Sequence, residues 1–441
     1  MVQLPEANTA NHAYALKMMT NAKRQSERIK VVFLTFYFEA WDALADIHDQ
    51  MLADPRFEVT VVSIPRRFIN TPVYSEEDLV SAYLDSAGVK HLRFDYEDSY
   101  LGLEKLRVMA PDYVFINYPW QRNYPPSYRA ELLSEFTKVC FVPYYSMPLA
   151  DEPGVSGIAP HLYEQRSHQL ASLVFTQDPH IVDAYALTSR GNSHVHLVGS
   201  PKLDSLVRKV QSGKKRWPLN NGGNKRMVWA PHHSYSSDWL NFGMFVKVNR
   251  PMLEFAKQHP SLDIVMRPHP YMFSTLIERN VMPKSELDEW LAEWNSLPNT
   301  AIDKQSDFAD LFAACDIFVT EGISFLSEYP LSTGKPTIFF ENEGHWKWSK
   351  LGEISALANI HVSNFDEFEK VFADADSNGL PDYSKQIETL RKAAQPYPGE
   401  AGARVKQIVI EDFEAGTGLV DKSAIREIPW EDRPGAEPAW A

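Results

Sequence analysis

Three segments of the chain combine residue types that suit the binding of an anion. They are Trp229-Ala230-Pro231-His232-His233-Ser234, Arg267-Pro268-His269-Pro270, and the run 316–340. Each reads as an apolar strand that ends in a polar loop. In open α/β sheets, ligands bind at such carboxyl ends. Arg267 offers a planar fork for phosphate oxygens, and His269 can donate a hydrogen bond or a proton. Prolines on both sides of His269 fix the local backbone. Pro231 ends its strand in the same way. Adjacent residues of a strand point apart, so only one of His232 and His233 is expected to reach the site. In Thr320-Glu321-Gly322-Ile323-Ser324, Gly322 permits a tight turn and Ser324 falls where a helix N-cap would lie, a place where free N–H groups bind phosphate. Glu328 lies four residues on, on the same helix face. Its carboxylate would serve ribose hydroxyls while the serine end holds phosphate. Each signal has a structural alternative: a capped strand end, a packed histidine, an exposed glutamate. Together they point to a nucleotide diphosphate and to a transferase. The His-His pair raises metal binding, but no third ligand stands at a characteristic spacing. No metal site is therefore assigned, and dependence on a divalent ion stays open.

These loops need a scaffold, and the pattern from residue 30 supplies one. Apolar stretches at 30–36, 57–64, 89–94, 112–116, 138–143, 171–176 and 195–198 read as strands. They alternate with helical stretches at 41–53, 76–87, 99–109, 127–136, 160–167 and 179–188. Such alternation implies a parallel sheet covered on both faces. Residues 208–226 are polar, basic and rich in Gly and Asn, as in a linker. The rhythm then restarts. Strands are expected at 227–230, 263–267, 301–302, 317–319 and 337–340. Helices are expected at 244–258, 285–296, 307–314, 324–333, 366–373 and 384–394, and a last one at 402–413 would cross back to the first domain. The predicted fold is α/β of the GT-B type, two Rossmann-like doubly wound parallel-sheet domains facing a cleft. Its parts are a polar extension (1–29), an acceptor domain (30–207), the linker (208–226), a nucleotide-donor domain (227–413) and an extended tail (414–441). No G-x-G-x-x-G follows the first strand, which removes support for a dinucleotide cofactor.

Bulk properties narrow the class. The chain has 441 residues, 44% hydrophobic and 12% aromatic, enough for two or three globular domains. A net charge of −14 argues against nucleic-acid partners. Cys140 and Cys315 sit in apolar strand contexts and are expected as buried thiols. No apolar signal region or membrane-length run is present, so a cytoplasmic location is expected, with docking on the inner face of the membrane compatible with the same properties.

The motifs resemble those of the CDP-glycerol glycerophosphotransferase family, which builds teichoic acids and capsular polymers. That family carries a strand followed by Ala-Pro, then Arg-x-His-Pro, then Thr-Asp-Tyr-Ser-Ser with an acidic residue four positions on. Here these appear as Ala230-Pro231-His232-His233, Arg267-Pro268-His269-Pro270, and Thr320 to Ser324 with Glu328. Gly199-Ser200-Pro201-Lys202-Leu203-Asp204 is similar to the family's Gly-x-Pro-Arg-x-Asp. The resemblance covers roughly residues 140–345. It implies a GT-B fold and a cytidine-diphosphate-linked donor, with Arg267, His269 and Ser324 on its phosphates and Glu328 on its ribose. The family's Trp-His-Gly-Thr-Pro segment corresponds to Val142-Pro143-Tyr144-Tyr145-Ser146, where no histidine stands.

The expected reaction is transfer of a polyol-phosphate group from a CDP-activated donor to a hydroxyl of a polymer acceptor, with CMP leaving. Candidate bases are Glu39 and Asp42, beside Tyr37 and Trp41 at the end of the first strand, and His232 or His233. Two alternatives stand beside it. One is a GT-B glycosyltransferase using a CMP- or UDP-linked sugar with a saccharide or lipid-linked acceptor; the other is a non-catalytic nucleotide-binding member.

Overall fold

The computed structural model describes residues 28–67, 73–152, 160–222, 224–305 and 307–425. The chain folds as two compact units. The first contains the described residues up to Tyr144, Pro160–Val198 and those from Glu400 onward. The second contains the segment from Tyr145 and Gly199–Gly399.

In the first unit the strands are β1 (Ile29–Thr35), β2 (Phe57–Ser63), β3 (Leu92–Arg93), β4 (Tyr113–Ile116), β5 (Lys138–Phe141), β6 (Leu173–Thr176) and β7 (Val195–Leu197). They form a parallel sheet in the order β3-β2-β1-β4-β5-β6-β7. β4, β5 and β6 are buried at every position, as strands covered on both faces must be. Phe33, Leu44, Ile47, Phe115 and Phe175 build the core together with Val405, Val409 and Ile410 of helix Ala401–Ala415. That helix packs closely on helix Asp42–Leu52: a Cβ at Gly402 would lie 2.2 Å from the Asp46 carboxylate. Asp412 on the same helix binds Tyr113 and Lys138 at the start of β4 and β5.

The second unit repeats the theme with β8 (Lys225–Ala230), β9 (Leu262–Met266), β10 (Thr300–Ile302), β11 (Ile317–Thr320), β12 (Ile338–Phe340) and β13 (Ile360–Val362). The order is β10-β9-β8-β11-β12-β13, again parallel. Its core centres on Trp229, Phe245, Trp290 and Trp294, with Trp290 stacked on Trp294 at 5.1 Å and Trp229 on Phe245 at 5.6 Å. In each sheet the strand order reverses once, between β1 and β4 and between β8 and β11. These are the switch points at which doubly wound sheets bind ligands.

The units divide the chain differently from the expected boundaries. Residues 208–226 are not a free linker. Helix Pro201–Gln211 runs into the segment, Trp217 and Leu219 pack on the core of the second unit, and Lys225 and Arg226 open β8. The chain crosses back at Glu400, as expected of the last helix, so helix Ala401–Ala415 belongs with the first sheet. The segment from Tyr145 joins the second unit through a bridge between Ala150 and Trp348. The strand expected at 89–94 shrinks to the exposed pair Leu92–Arg93, and the helix at 127–136 to a 3-10 turn and Ala130–Leu133. The helix at 160–167 splits into Pro160–Tyr163 and Arg166–Leu170. Helices Met272–Glu278 and Lys350–Leu357 and strand β13 were not anticipated. Residues 426–441 of the expected tail, and most of the N-terminal extension, lie outside the described residues. Cys140 and Cys315 are buried free thiols.

Candidate functional site

The motifs of the second unit converge on its switch point. Backbone bonds zip the loops after β8 and β9 together: Arg267 N–H donates to Trp229 O at 2.7 Å, and His269 N–H to Pro231 O at 3.1 Å. The loop after β11 joins through Glu321 N–H to Ala230 O at 3.2 Å. Three adjacent strands therefore present their terminal residues as one surface.

Three imidazoles lie at its centre. The ring of His233 stacks on that of His269 at 4.0 Å, and His232 sits 4.7 Å from His233 and 5.5 Å from His269. Both histidines of the pair thus reach the cluster, contrary to the expectation of one. The alternation of a strand does not extend past Ala230, where β8 ends. Burial holds His232 and His269 well below the ordinary imidazole pKa, with His233 adding to the effect on both. Burial lowers His233 to about 4, aided by Arg279. The cluster is neutral at pH 7.

Hydrogen bonds fix two tautomers. Ser234 N–H donates to Nδ1 of His232 at 3.3 Å, so that nitrogen is an acceptor and the Ser234 hydroxyl, 2.8 Å away, donates to it as well. His269 Nδ1 accepts the N–H of Tyr271 at 3.2 Å. In both rings Nε2 carries the proton, which makes each a hydrogen-bond donor rather than a base. Among the described residues no group of three His, Cys, Asp or Glu side chains is arranged to hold a metal ion.

Two cations flank the rings. Arg267 is mostly buried, lies over the Phe308 ring at 4.9 Å and pairs with Asp303, which also binds Arg216 at 2.9 Å. Burial lowers the Arg267 pKa and Asp303 opposes that shift. Lys202 follows the N-cap Ser200 and Pro201 of helix Pro201–Gln211 and binds Glu328 at 2.9 Å. Lys202 and Arg267 both act electrostatically on His269.

Glu328 occupies the expected helix, Phe325–Thr333, but is only 1% exposed and held by Lys202 and Ser146. Ser324 stands at the N-cap position without a side-chain capping bond, because its backbone is already helical. Gly322 does not need the left-handed region; its N–H donates to Thr320 Oγ1 at 2.8 Å, and a Cβ there would meet the His232 ring at 3.6 Å. It lies against the His232 ring.

The sequence reading missed Glu321 as a side chain with a role. It is fully buried, and its Oε2 accepts the N–H groups of Met244 (2.7 Å), Phe245 (3.0 Å) and His232 (3.3 Å). Met244 and Phe245 begin helix Phe245–Gln258. One oxygen therefore ties the end of β11 to the histidine loop and to a helix N-terminus. Burial pushes its carboxyl up to about 8, against the pull of those three N–H groups. No local motif marked it, since its partners lie far away in sequence.

In the first unit, Glu39 follows β1 and receives Arg66 Nη1 on both oxygens at 2.9 Å, while Arg66 Nε binds Glu76 at 3.0 Å. Asp42 opens helix Asp42–Leu52, and Trp41 is buried against Phe33. Val142-Pro143-Tyr144 follows β5 without a histidine, as expected.

Comparison with solved structures shows the fold to be GT-B. A Listeria monocytogenes protein assigned as a UDP-N-acetylglucosamine 2-epimerase superposes with a TM-score of 0.60 at 15% identity, covering 90% of this chain and 98% of that one. The UDP-GlcNAc 2-epimerase from Neisseria meningitidis bound to UDP-GlcNAc gives 0.54 at 13% identity, with coverages of 87% and 100%. The wall teichoic acid polymerase TagF, as its H444N variant, gives 0.57 at 11% identity, covering 91% and 92%. No protein-family profile and no curated protein matches the chain.

Proposed function

We propose that the chain is an enzyme that binds a nucleotide-activated sugar at the switch point of its second unit and transfers the glycosyl group to a hydroxyl acceptor. The observation that carries this reading is the ring cluster His232–His233–His269 at the carboxyl ends of β8 and β9, with Lys202 and Arg267 acting electrostatically on His269. Neutral imidazole donors and two cations suit the diphosphate of such a donor. The likeness in fold to a structure holding UDP-GlcNAc supports the sugar-nucleotide class.

In this reaction the acceptor oxygen bonds to the anomeric carbon. The bond from that carbon to the phosphate oxygen breaks, and its electron pair leaves on the nucleotide. Arg267, Lys202 and the Nε2–H groups of His232 and His269 stabilise the departing charge. The acceptor proton passes to a general base. Glu39, whose two oxygens accept Arg66 Nη1, and Asp42 both stay candidates for that base. In this reading Arg267 and His269 bind the leaving phosphates, and the turn from Gly322, which lies against the His232 ring, to Ser324 adds further contacts.

A second reading is transfer of a polyol phosphate from a CDP-linked donor, with attack on the distal phosphorus and departure of CMP. Arg267-Pro268-His269-Pro270 and the likeness in fold to TagF favour it. The test is product analysis with UDP-GlcNAc, a CMP-linked sugar and CDP-glycerol, each with mixed saccharide and polyol acceptors. A new glycosidic linkage with release of UDP or CMP is the expected result. A phosphodiester product made only from CDP-glycerol establishes the second reading. Nucleotide binding without any product, or a sugar epimer as the only product, overturns both.

A further inference from the structure

We propose that the crevice at the carboxyl ends of β1, β4 and β5 is an acceptor subsite for a neutral pyranose, with Tyr37, Tyr118, Trp120 and Tyr144 as its stacking wall. The inference rests on the transferase reading above and names the acceptor class.

Position is the first observation. The order of the first sheet reverses between β1 and β4, which places a crevice beyond the ends of these strands. Tyr37 stands just past the end of β1, Tyr118 and Trp120 just past β4, and Tyr144 just past β5. The switch point is thus lined by aromatic rings where glycines and phosphate-binding loops stand in dinucleotide folds.

The rings form one continuous layer. Tyr118 lies 4.7 Å from Tyr37 and 5.3 Å from Tyr144; Tyr37 and Tyr144 are 5.4 Å apart, and Trp120 is 5.8 Å from Tyr144. Tyr118 and Trp120 are buried, whereas Tyr37 and Tyr144 keep part of their surface exposed. Phe36 and Tyr124 support the layer from behind, edge to face at 4.6 Å. Tyr37 and Tyr144 are the partly exposed rings of this layer.

A polar group within the wall lacks a partner. The indole Nε1–H of Trp120 is buried and meets no acceptor among the described residues. Tryptophan N–H groups ordinarily find a partner when buried, and an unmet donor is destabilising. A ligand hydroxyl is a fitting acceptor.

The form of the wall suits one acceptor class. Arg66, the cation just past β2, is bound by both oxygens of Glu39 and by Glu76. These carboxylates balance the charge of Arg66. A pyranose has the complementary form: its axial C–H groups make one apolar face for the rings, and its hydroxyls form a rim for Trp120 and the tyrosine hydroxyls.

The test is saturation-transfer NMR on the full chain, with methyl β-glucoside and methyl N-acetyl-β-glucosaminide as probes and glycerol 3-phosphate as the charged control. The expected result is saturation concentrated on the ring C–H protons of a glycoside, no signal from glycerol 3-phosphate, and binding about five- to tenfold weaker in Tyr144→Ala, the size of one ring contact. Tyr144→Phe keeps the ring and is expected to bind within about twofold of the wild type. Binding of glycerol 3-phosphate in place of the glycosides, absence of glycoside binding, or equal binding by Tyr144→Ala in a folded chain overturns the proposal. A parallel titration with UDP and CMP reads the nucleotide site of the second unit by itself. Failure of the donor assignment therefore appears there, and failure of the stacking wall appears in the glycoside signal.

Discussion

The Glu321 carboxyl group accepts the backbone N–H of His232 at 3.3 Å, and the same oxygen accepts those of Met244 and Phe245. The histidine loop is thereby fixed to the first turn of helix Phe245–Gln258 by a single buried atom. Glu321→Ala leaves three backbone donors without a partner in a dry environment. The expected loss is about 3 kcal/mol of stability, together with weaker nucleotide binding. Urea unfolding followed by tryptophan fluorescence checks the first, and calorimetry the second. Unchanged stability would show that water replaces the carboxyl group at no cost.

Gly243 approaches the same loop closely. Its N–H donates to Ser234 O at 2.7 Å, and a Cβ would lie 2.4 Å from the Tyr235 ring and 2.7 Å from that carbonyl oxygen. Gly243→Ala must therefore displace Ser234, whose hydroxyl fixes the His232 tautomer. A loss of about 1–3 kcal/mol is expected, with a fall in nucleotide affinity beyond that of a surface substitution. Thermal unfolding and a binding titration measure both.

The neutral histidines predict a direction with pH. His233 has its pKa lowered to about 4 in the folded chain, against an ordinary value of 6.5 for an imidazole in water. Between these values the unfolded chain binds the proton and the folded chain does not, so stability from this group falls as pH drops from 6.5 toward 4. Glu321 acts oppositely. With its carboxyl raised to about 8, the folded chain holds the proton between 4.5 and 8, and this contribution declines as pH rises. His233→Asn is expected to flatten the acid limb of the stability curve relative to wild type. An unchanged acid limb in denaturation across about pH 4.5 to 6.5 would contradict the assignment.

Lys202 and Glu328 test the ion pair beside the rings. Glu328 is buried, so Lys202→Met leaves a carboxylate with Ser146 as its remaining described partner. The expected cost is about 3–5 kcal/mol. Adding Glu328→Gln recovers most of that stability, while nucleotide affinity stays reduced because the cation is absent. Full recovery of affinity in the double variant would remove Lys202 from the phosphate site.

The sheets were legible in the sequence because strands of a covered parallel sheet read as unbroken apolar runs; β4 and β5, buried throughout, illustrate this. Strand β3 and helix Met272–Glu278 were harder, one being two exposed residues and the other short and without a side-chain cap. Helix Pro201–Gln211 carried a signal that was passed over: Ser200 caps Leu203 N–H at 3.2 Å and Pro201 takes the first helical position. Arg267 and His269 stood out in the sequence because prolines punctuate their loop. Glu321 and the pairing of Lys202 with Glu328 did not, since both depend on burial and on partners brought together only by folding.

Calorimetric titration of the full chain with CMP, CDP, CDP-glycerol, UDP and UDP-GlcNAc, with Arg267→Ala alongside, tests the donor site most directly. The account predicts saturable binding of at least one pyrimidine nucleotide, about tenfold or more weaker in Arg267→Ala, the loss of one charge-assisted contact. Preference for UDP-GlcNAc supports the glycosyl reading, and preference for CDP-glycerol the polyol-phosphate reading. No binding to any of the five, or equal binding by the folded Arg267→Ala chain, would contradict the assignment of the histidine cluster as a nucleotide site.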